Sequence, residues 1–333
     1  MTSALLFNIV IVTYFAAALV YAFTASSKRP SAALAGRAIL IIGLLVHTVV
    51  IAQRWWLAGR PPLSNMFETL VFLGWCIMLG YLIAELKYGF RILGAAASLG
   101  ALLTLAYATM VFPDTIKPLP AALKNSFWLT IHVSFCLVGY GGLFAAYITA
   151  LLSLLKRTDR HRYAAAYVTS LTVAGIVGGL VTAYLYRRGV VDLSLTPGTV
   201  LSFLAGGLLA GALLTPAALP LARRMEGSSS RGDADTLDRV LTNAVSLGFL
   251  FLTIGLFTGS VWARQAWGRY WGWDPKEAWT LVAWLIYYIS IHVRVTSRTR
   301  GPAIAWLAVL GFWAVLFTYF GVNFLLVGLH SYA

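Results

Sequence analysis

Acidic residues are scarce in this chain. Only 11 of its 333 residues are Asp or Glu, against 25 Lys and Arg, and charged residues make up 11% in all. Soluble domains carry roughly 25% charged residues, so this composition excludes an ordinary soluble protein. Hydrophobic residues reach 60% and the mean hydropathy is +0.81. The composition therefore predicts an integral membrane protein.

Cysteine is rarer still. Cys76 and Cys136 are the two cysteines, each a single residue within an apolar run. The sequence has no Cys-x-x-Cys pair, which argues against a thiol redox role, and no Cys-x-x-Cys-His, so the chain is not itself a c-type cytochrome. The first apolar run lacks a basic leading region and a convincing cleavage site, which predicts a retained helix rather than a signal peptide.

Ten apolar runs are long enough to cross a membrane, which takes about 20 residues in a helix. They predict an all-α polytopic membrane helical bundle of about ten transmembrane helices, forming a single integral membrane domain over residues 1–333. The runs lie near residues 5–24, 36–57, 68–86, 92–112, 127–155, 164–186, 199–221, 238–262, 278–294 and 303–329.

The Lys and Arg residues fall in the short loops between these runs. Alternate loops hold 16 of them on one side and 9 on the other. Cytoplasmic loops are the richer ones in membrane proteins, so both termini and the segment 262–279 are predicted to face the outer side. A net charge of +14 spread in this way is typical of orientation signals rather than of a phosphate-binding face. No nucleic-acid partner is expected.

The segment Trp262–Trp279 is unusually rich in tryptophan. So many rings in one short segment predict a flat hydrophobic platform for a large planar ligand. Interleaved cations could hold the carboxylates of that ligand, and the sequence does not choose among them. The pattern points to a porphyrin. The rings are those of Trp262, Trp267, Trp271, Trp273 and Trp279, and the cations are Arg264, Arg269 and Lys276.

Two histidines are predicted at the same outer level as this segment. His132 lies about five residues into the fifth predicted helix, and His330 lies at the outer end of the last one. Histidine within a membrane span is rare and suggests function. One imidazole on each face of a porphyrin is what six-coordinate haem iron requires. The alternative is that each histidine is an interfacial residue hydrogen-bonded to a neighbouring helix.

His292 is predicted to lie much deeper. It is roughly 14 residues into the ninth predicted helix, or about 21 Å from the outer end. If it binds haem, it serves a second position on the inner side; otherwise it is an interfacial histidine at a basic helix end. His47, in mid-span, could pair with His292 or form a structural hydrogen bond, and His161 is most simply a solvated charge.

The stretch Trp267–Trp279 resembles the tryptophan-rich WWD signature of the haem-handling proteins of cytochrome c maturation. More narrowly, the chain is similar to the CcsA or ResC family of the System II pathway. Supporting stretches are Arg54–Leu70, Trp128–Val133 and Gly321–Tyr332, so the resemblance runs from the second helix to the C-terminus. The stretch 161–235, with two predicted spans, is longer than the family pattern and indicates a possible two-helix insertion.

The resemblance implies a function in haem handling and delivery. In this family two outer histidines, matched by His132 and His330, are axial ligands of haem b iron, and His292 matches a histidine that binds a membrane haem. The implied partners are a CcsB- or ResB-like membrane protein, an apocytochrome c with Cys-x-x-Cys-His and a thiol-reducing protein. The implied setting is a holocytochrome c synthase complex in the cell or thylakoid membrane. The resemblance implies that the companion protein supplies the second ligand of the membrane haem, which leaves His47 as structural.

Several roles stay open at the level of sequence. Asp274, before Pro275, is predicted either to cap the ninth helix or to contact haem. A second outer polar cluster, with Arg54, Arg60, Asn65 and Glu68, is a possible docking surface for the partner or the apocytochrome. The alternative functions are a System I type haem chaperone or exporter and a haem-bearing electron-transfer subunit such as a quinol-oxidising cytochrome b.

Overall fold

The computed structural model describes residues 3–27, 30–89, 91, 93–119, 123–124, 127–156, 161–169, 172, 231–297, 301–326 and 328–329. Over these ranges the chain is helical and contains no strand. The predicted all-α class is therefore confirmed.

Eight long helices account for most of the described chain. Each is long and apolar enough to cross a membrane, the last one together with the π-helical turn that extends it to Gly321, so eight of the predicted spans are confirmed. The other two, with most of the stretch 161–235, lie largely outside the described residues, although residues 161–169 are helical. The helices are α1 (Ser3–Ser27), α2 (Pro30–Ala58), α3 (Met66–Tyr88), α4 (Leu93–Val111), α5 (Phe127–Leu155), α6 (Arg231–Trp267), α7 (Pro275–Thr296) and α8 (Pro302–Leu316).

The last span does not end as a regular α-helix. It passes through a π-helical turn, Phe317–Gly321, into one further short helix, α9 (Val322–Leu325). Insertions of this type rotate the residues that follow relative to the preceding helix and are frequent at functional sites. This one directs Tyr319 and Asn323 into a cavity described below.

The helices pack in two connected groups. In the first, α1 lies against α2 and α4, and α3 lies against α4; in the second, α5 packs along α6 and α8, and α7 packs against α8 and α6. The contact of α3 with α5 joins the two groups. Because α5 and α6 run in opposite directions, the start of α5 meets the end of α6.

Two buried ion pairs fix α2 against α3. Arg54 pairs with Glu68 at 3.1 Å and Arg37 pairs with Glu85 at 3.0 Å, and both carboxylates are buried. Arg37 and Arg54 are 17 residues apart on α2, and Glu68 and Glu85 are 17 residues apart on α3. This spacing is about 26 Å of helix. The pairs therefore hold the antiparallel register at both ends of the span. Tyr21 of α1 also donates to Glu85 at 2.5 Å.

Candidate functional site

His132 is held in a defined orientation near the start of α5. Its Nδ1 atom lies 2.7 Å from the carbonyl oxygen of Gly255 on α6. Because a carbonyl only accepts, Nδ1 carries the hydrogen and the lone pair is on Nε2. Metal-binding histidines commonly donate their other ring N–H to a carbonyl in this way. The indole of Trp262 stacks nearly parallel to the imidazole, with centroids 6.1 Å apart and an angle of 10°.

Two glycines on α6 make this contact possible. A Cβ at Gly259 would lie 2.5 Å from His132 Nδ1, and a Cβ at Gly255 would lie 2.5 Å from Cys136 Sγ. Gly255 and Gly259 are four residues apart on α6, as His132 and Cys136 are on α5. Successive turns of α6 therefore each contact one of these two α5 side chains. Small residues allow such close helix approach within membranes. The glycines therefore determine how near His132 can lie to Trp262.

A cavity opens beside His132. It holds about 1120 Å³ of space between the side chains, including open solvent at its mouth. Its wall is built from the starts of α3, α5 and α7, the end of α6, the 270–271 loop and the π turn. His132, Trp262 and Trp271 lie on this wall, with Lys276. The structure thus brings together residues that the sequence placed at one outer level.

The tryptophans do not form the single flat platform predicted from the sequence. Trp262 meets Trp267 at 71° with centroids 4.6 Å apart, and Trp271 meets Trp273 at 89° and 5.7 Å. Perpendicular edge-to-face contacts are a preferred arrangement for aromatic rings, so the rings brace one another instead of lying in one plane. Trp262 and Trp271 reach the cavity wall, whereas Trp279 packs on Phe317 at 4.2 Å.

Trp273 is largely exposed, although its ring contacts that of Trp271. Its side chain is 72% exposed and its backbone has a φ of +55°. A non-glycine residue in this left-handed region is uncommon and strained. The conformation turns the chain sharply just before α7 begins.

The three cations of the segment occupy different places. Arg264 is exposed and donates to the carbonyl of Gly268. Arg269 is also exposed and lies over Gly272, where a Cβ would come within 2.6 Å of its Nε. Lys276 lines the cavity, and its Nζ donates to Asn323 Oδ1 at 3.0 Å. Of the three, Lys276 is the one that the structure places with His132.

Asp274 caps α7, which was one of its two predicted roles. Its carboxylate accepts from the backbone N–H of Lys276 at 3.0 Å, while Glu277 accepts from the N–H of Asp274 at 3.2 Å and that of Gly272 at 2.8 Å. This reciprocal pattern is a capping box. The second oxygen of Asp274 accepts from the backbone N–H of Leu329 at 2.6 Å. The other predicted role, contact with haem, stays a prediction.

The sequence did not reveal one wall of the cavity. Thr69 of α3 and Tyr319 of the π turn share a hydrogen bond at 2.6 Å, and both line the cavity with Asn65 and Asn323. Asn65 caps α3 by accepting from the N–H of Glu68. An asparagine inside the last apolar run was an available signal, but the π turn that directs it inward was not.

The second polar cluster is present, but its charges point inward. Glu68 accepts from Arg54 and Arg60 at 3.1 and 3.0 Å, and from the backbone N–H and hydroxyl of Ser64 at 3.0 and 2.9 Å. The carboxylate is buried and both arginine side chains are mostly covered. This geometry favours a structural role over the predicted docking surface.

His292 lies on the exposed side of α7, away from the cavity. It is the last member of a stack along that helix, in which Trp284 and Tyr288 are 5.5 Å apart at 7° and Tyr288 and His292 are 6.0 Å apart at 23°. The structure therefore separates His292 from His132, as the sequence predicted. His330 lies outside the described residues.

The remaining histidines are in structural positions. His47 is buried on α2, and its Nδ1 lies 3.0 Å from the hydroxyl of Tyr14 on α1. Because α2 packs on α1 and α3 whereas α7 packs on α6 and α8, the structure does not bring His47 to His292. His161 is not simply solvated as predicted, because its Nδ1 accepts from the indole N–H of Trp306 at 3.1 Å.

Comparison with known proteins agrees with the resemblance seen in the sequence. Residues 63–330 match the family described as cytochrome C assembly protein, and every cavity residue named above lies within that range. The chain belongs to this family. It is also similar to proteins named cytochrome c biogenesis protein CcsA. The one from Synechococcus elongatus is 36% identical over 300 residues, covering 89% of this chain and 86% of the relative.

Two further relatives carry the same name. The protein from Synechocystis sp. is 36% identical over 306 residues, with 88% of this chain and 86% of the relative covered. The one from Gloeobacter violaceus is 34% identical over 300 residues, with 87% and 84% covered. This chain therefore spans most of the length of these relatives.

Proposed function

We propose that this protein handles haem for cytochrome c biogenesis and presents it on the outer side of the membrane for covalent attachment to apocytochrome c. The observation that carries the proposal is His132, a cavity-wall imidazole whose Nδ1–H is engaged by a carbonyl. That tautomer supports axial ligation of iron through Nε2. The family membership and the names of the relatives support the same function.

The donor set of the cavity suits an iron that already has equatorial ligands. Among the described residues, no group of three or more histidine, cysteine or acidic side chains could hold a bare metal ion. A single imidazole beside aromatic walls can serve an iron whose other positions are filled by a porphyrin. In this proposal His330 supplies the ligand on the opposite face, so that haem b is bound by two histidines.

The chemistry of attachment requires the vinyl groups of haem to be reachable. Each thiol of the acceptor Cys-x-x-Cys-His adds across one vinyl double bond: an S–C bond forms, the thiol hydrogen goes to the other vinyl carbon, and nothing leaves. The role of this chain is to hold and orient the haem while the acceptor approaches. Trp262 and Trp271 exclude water from the porphyrin, and His132 fixes its plane.

His292 provides a second, inner haem position in the proposal. It lies about 24 Å along α7 from Lys276, farther than one porphyrin can reach. The exposure of the α7 stack leaves this face available to a companion membrane protein of the CcsB or ResB type, which would supply the second ligand. In this proposal the protein lies in the cell or thylakoid membrane, with both termini and the Trp-rich segment on the outer side. The complex of this chain with its partner acts as the haem lyase. A separate thiol-reducing protein keeps the acceptor cysteines reduced.

Co-expression tests this function directly. The chain and its ResB-like partner are produced in a host that lacks its own maturation system, and a reporter cytochrome c is scored by haem staining. We expect His132→Ala to abolish staining and added imidazole to restore part of it by filling the vacated position on iron. His161→Ala, a histidine outside the cavity, is the matched control and should mature the reporter normally. Full staining with His132→Ala would refute the proposed ligand.

A further inference from the structure

Lys276 is a cation on the cavity wall that is under the influence of the Asp274 charge but forms no ion pair with a described carboxylate. Its Nζ donates to the neutral amide of Asn323 at 3.0 Å, and within the described part of the chain no carboxylate lies within 4 Å of it. Glu277 also lines the cavity, but one of its carboxylate oxygens accepts the N–H groups of Gly272 and Asp274 in the capping box. An ammonium in such surroundings favours an anionic ligand.

Asn323 is fixed so that it presents its oxygen to Lys276. Its Nδ2 donates to the carbonyl of Tyr319 at 2.6 Å, which assigns Oδ1 to the side that faces the ammonium. Asn323 occupies one of the three N–H groups of Lys276. The other two are available in this arrangement for the two oxygens of a carboxylate.

The cavity lining combines polar and apolar side chains. Thr69 and Tyr319 share a hydroxyl hydrogen bond, and both line the cavity together with Lys276. Val133 and Leu256 add apolar surface to the same lining, which also holds His132. A ligand that suits this lining is a flat apolar ring that carries carboxylates.

We propose that Lys276, with Asn323, Tyr319 and Thr69, forms a carboxylate subsite that binds a propionate of haem and sets the rotation of the porphyrin in the cavity. This inference rests on the proposed function and deepens it. The propionates and the vinyl groups lie on opposite edges of haem b. Anchoring a propionate at Lys276 therefore turns the vinyl edge away from the lysine, and the exposed Arg264 and Arg269 take no part.

Three iron porphyrins separate the contribution of the carboxylates from that of the ring. They are haemin, haemin dimethyl ester, in which both propionates are esterified, and mesohaemin, which keeps the propionates but has ethyl groups in place of vinyls. The full chain, co-purified with its partner from haem-deficient cells, is titrated with each and followed by the Soret band. We expect haemin and mesohaemin to bind alike and the ester to bind about tenfold or more weakly, the effect of losing a hydrogen bond to a charged group.

Variants then assign the discrimination to Lys276. Lys276→Met should bind haemin and the ester alike, with a Soret band that still reports histidine ligation. Arg264→Met and Arg269→Met are the matched controls and should discriminate as the wild type does. Equal binding of haemin and ester by the wild type, or discrimination that survives in Lys276→Met, would overturn the subsite while leaving haem handling intact. Failure of the wild type to bind any of the three would overturn the proposed function as well.

Discussion

The carboxylate of Asp274 accepts a hydrogen bond from the backbone N–H of Leu329, with oxygen and nitrogen 2.6 Å apart. These residues are 55 positions apart in the chain, and Leu329 directly precedes His330. A Cβ at Gly328 would lie 2.6 Å from the same Asp274 oxygen, so a glycine is needed for the approach. One carboxylate thus caps α7 and holds the backbone of Leu329 beside it.

The first prediction compares Asp274→Asn with Asp274→Ala. Asparagine caps helices about as well as aspartate, whereas alanine loses about 1 kcal/mol of cap stability. We expect Asp274→Ala to lower the melting temperature of the detergent-purified protein and its co-purifying haem. Asp274→Asn keeps an oxygen for the cap but loses the second acceptor oxygen that receives the N–H of Leu329, so its effect should be intermediate. Thermal unfolding and the Soret absorbance measure both effects. An asparagine variant that matches the wild type would show that the bond to Leu329 contributes nothing measurable.

The second prediction concerns the glycine that admits His132. Gly259→Ala places a methyl group 2.5 Å from His132 Nδ1 in the present geometry, so the imidazole or α6 must shift. We expect this variant to lose histidine-ligated haem in the absorption spectrum, with reporter maturation falling in parallel. Gly142→Ala, on the same helix pair, is the control because its nearest contact would be an ordinary 3.4 Å. A normal spectrum in Gly259→Ala would show that the position of His132 is not critical.

The membrane spans could be predicted from the sequence for a simple physical reason. In lipid every backbone polar group must be bonded internally, so a long apolar run with few charges has essentially one available structure. The fifth predicted span, 127–155, therefore agrees with α5 at both ends. The capping box of Asp274 was equally accessible, because aspartate, proline and glutamate in that order are a local signal.

The geometry of the cavity could not be predicted, because it depends on contacts between distant parts of the chain. From the sequence, Lys276, Arg264 and Arg269 were equally good candidates to bind the carboxylates of the ligand. Only the packing of α7 against the π turn shows that Lys276 is the one on the cavity wall. The π turn itself has no local sequence rule, so Tyr319 and Asn323 were missed. Ring orientations in the Trp-rich segment are likewise set by edge-to-face contacts that composition does not encode.

The third prediction tests the buried charge cluster. Glu68→Gln removes the charge that Arg54 and Arg60 share and leaves two mostly covered guanidinium groups without a carboxylate. Breaking a buried ion pair from one side costs about 3–5 kcal/mol, so we expect a large loss of folded protein and of thermal stability. Arg60→Met keeps the Arg54–Glu68 pair and should be milder. Similar stability of the two variants would contradict the structural role proposed for Glu68.

The fourth prediction concerns orientation. Reporter fusions after Arg157 and after Arg231 should report the cytoplasm, and fusions after Lys117 and at the C-terminus should report the outer side, because the loops richer in Lys and Arg stay inside. Alkaline phosphatase and a fluorescent protein, active on opposite sides, give complementary readouts. A cytoplasmic signal from the C-terminal fusion would place the cavity on the wrong side for attachment to an exported cytochrome.

The last prediction separates the two proposed haem positions. His292 is exposed on α7 at the end of the Trp284–Tyr288 stack, about 24 Å of helix from Lys276, so its loss cannot act on the outer iron directly. We expect His292→Ala to lower the total haem that co-purifies with the complex, and imidazole to restore it.

Val295→Ala, which alters an exposed residue one turn away, should leave haem content unchanged. Trp271→Ala, at the cavity wall, should instead weaken the outer site while the inner haem remains. Normal haem content, spectrum and maturation in His292→Ala would favour a single outer haem, since no other described histidine lies on that face of α7.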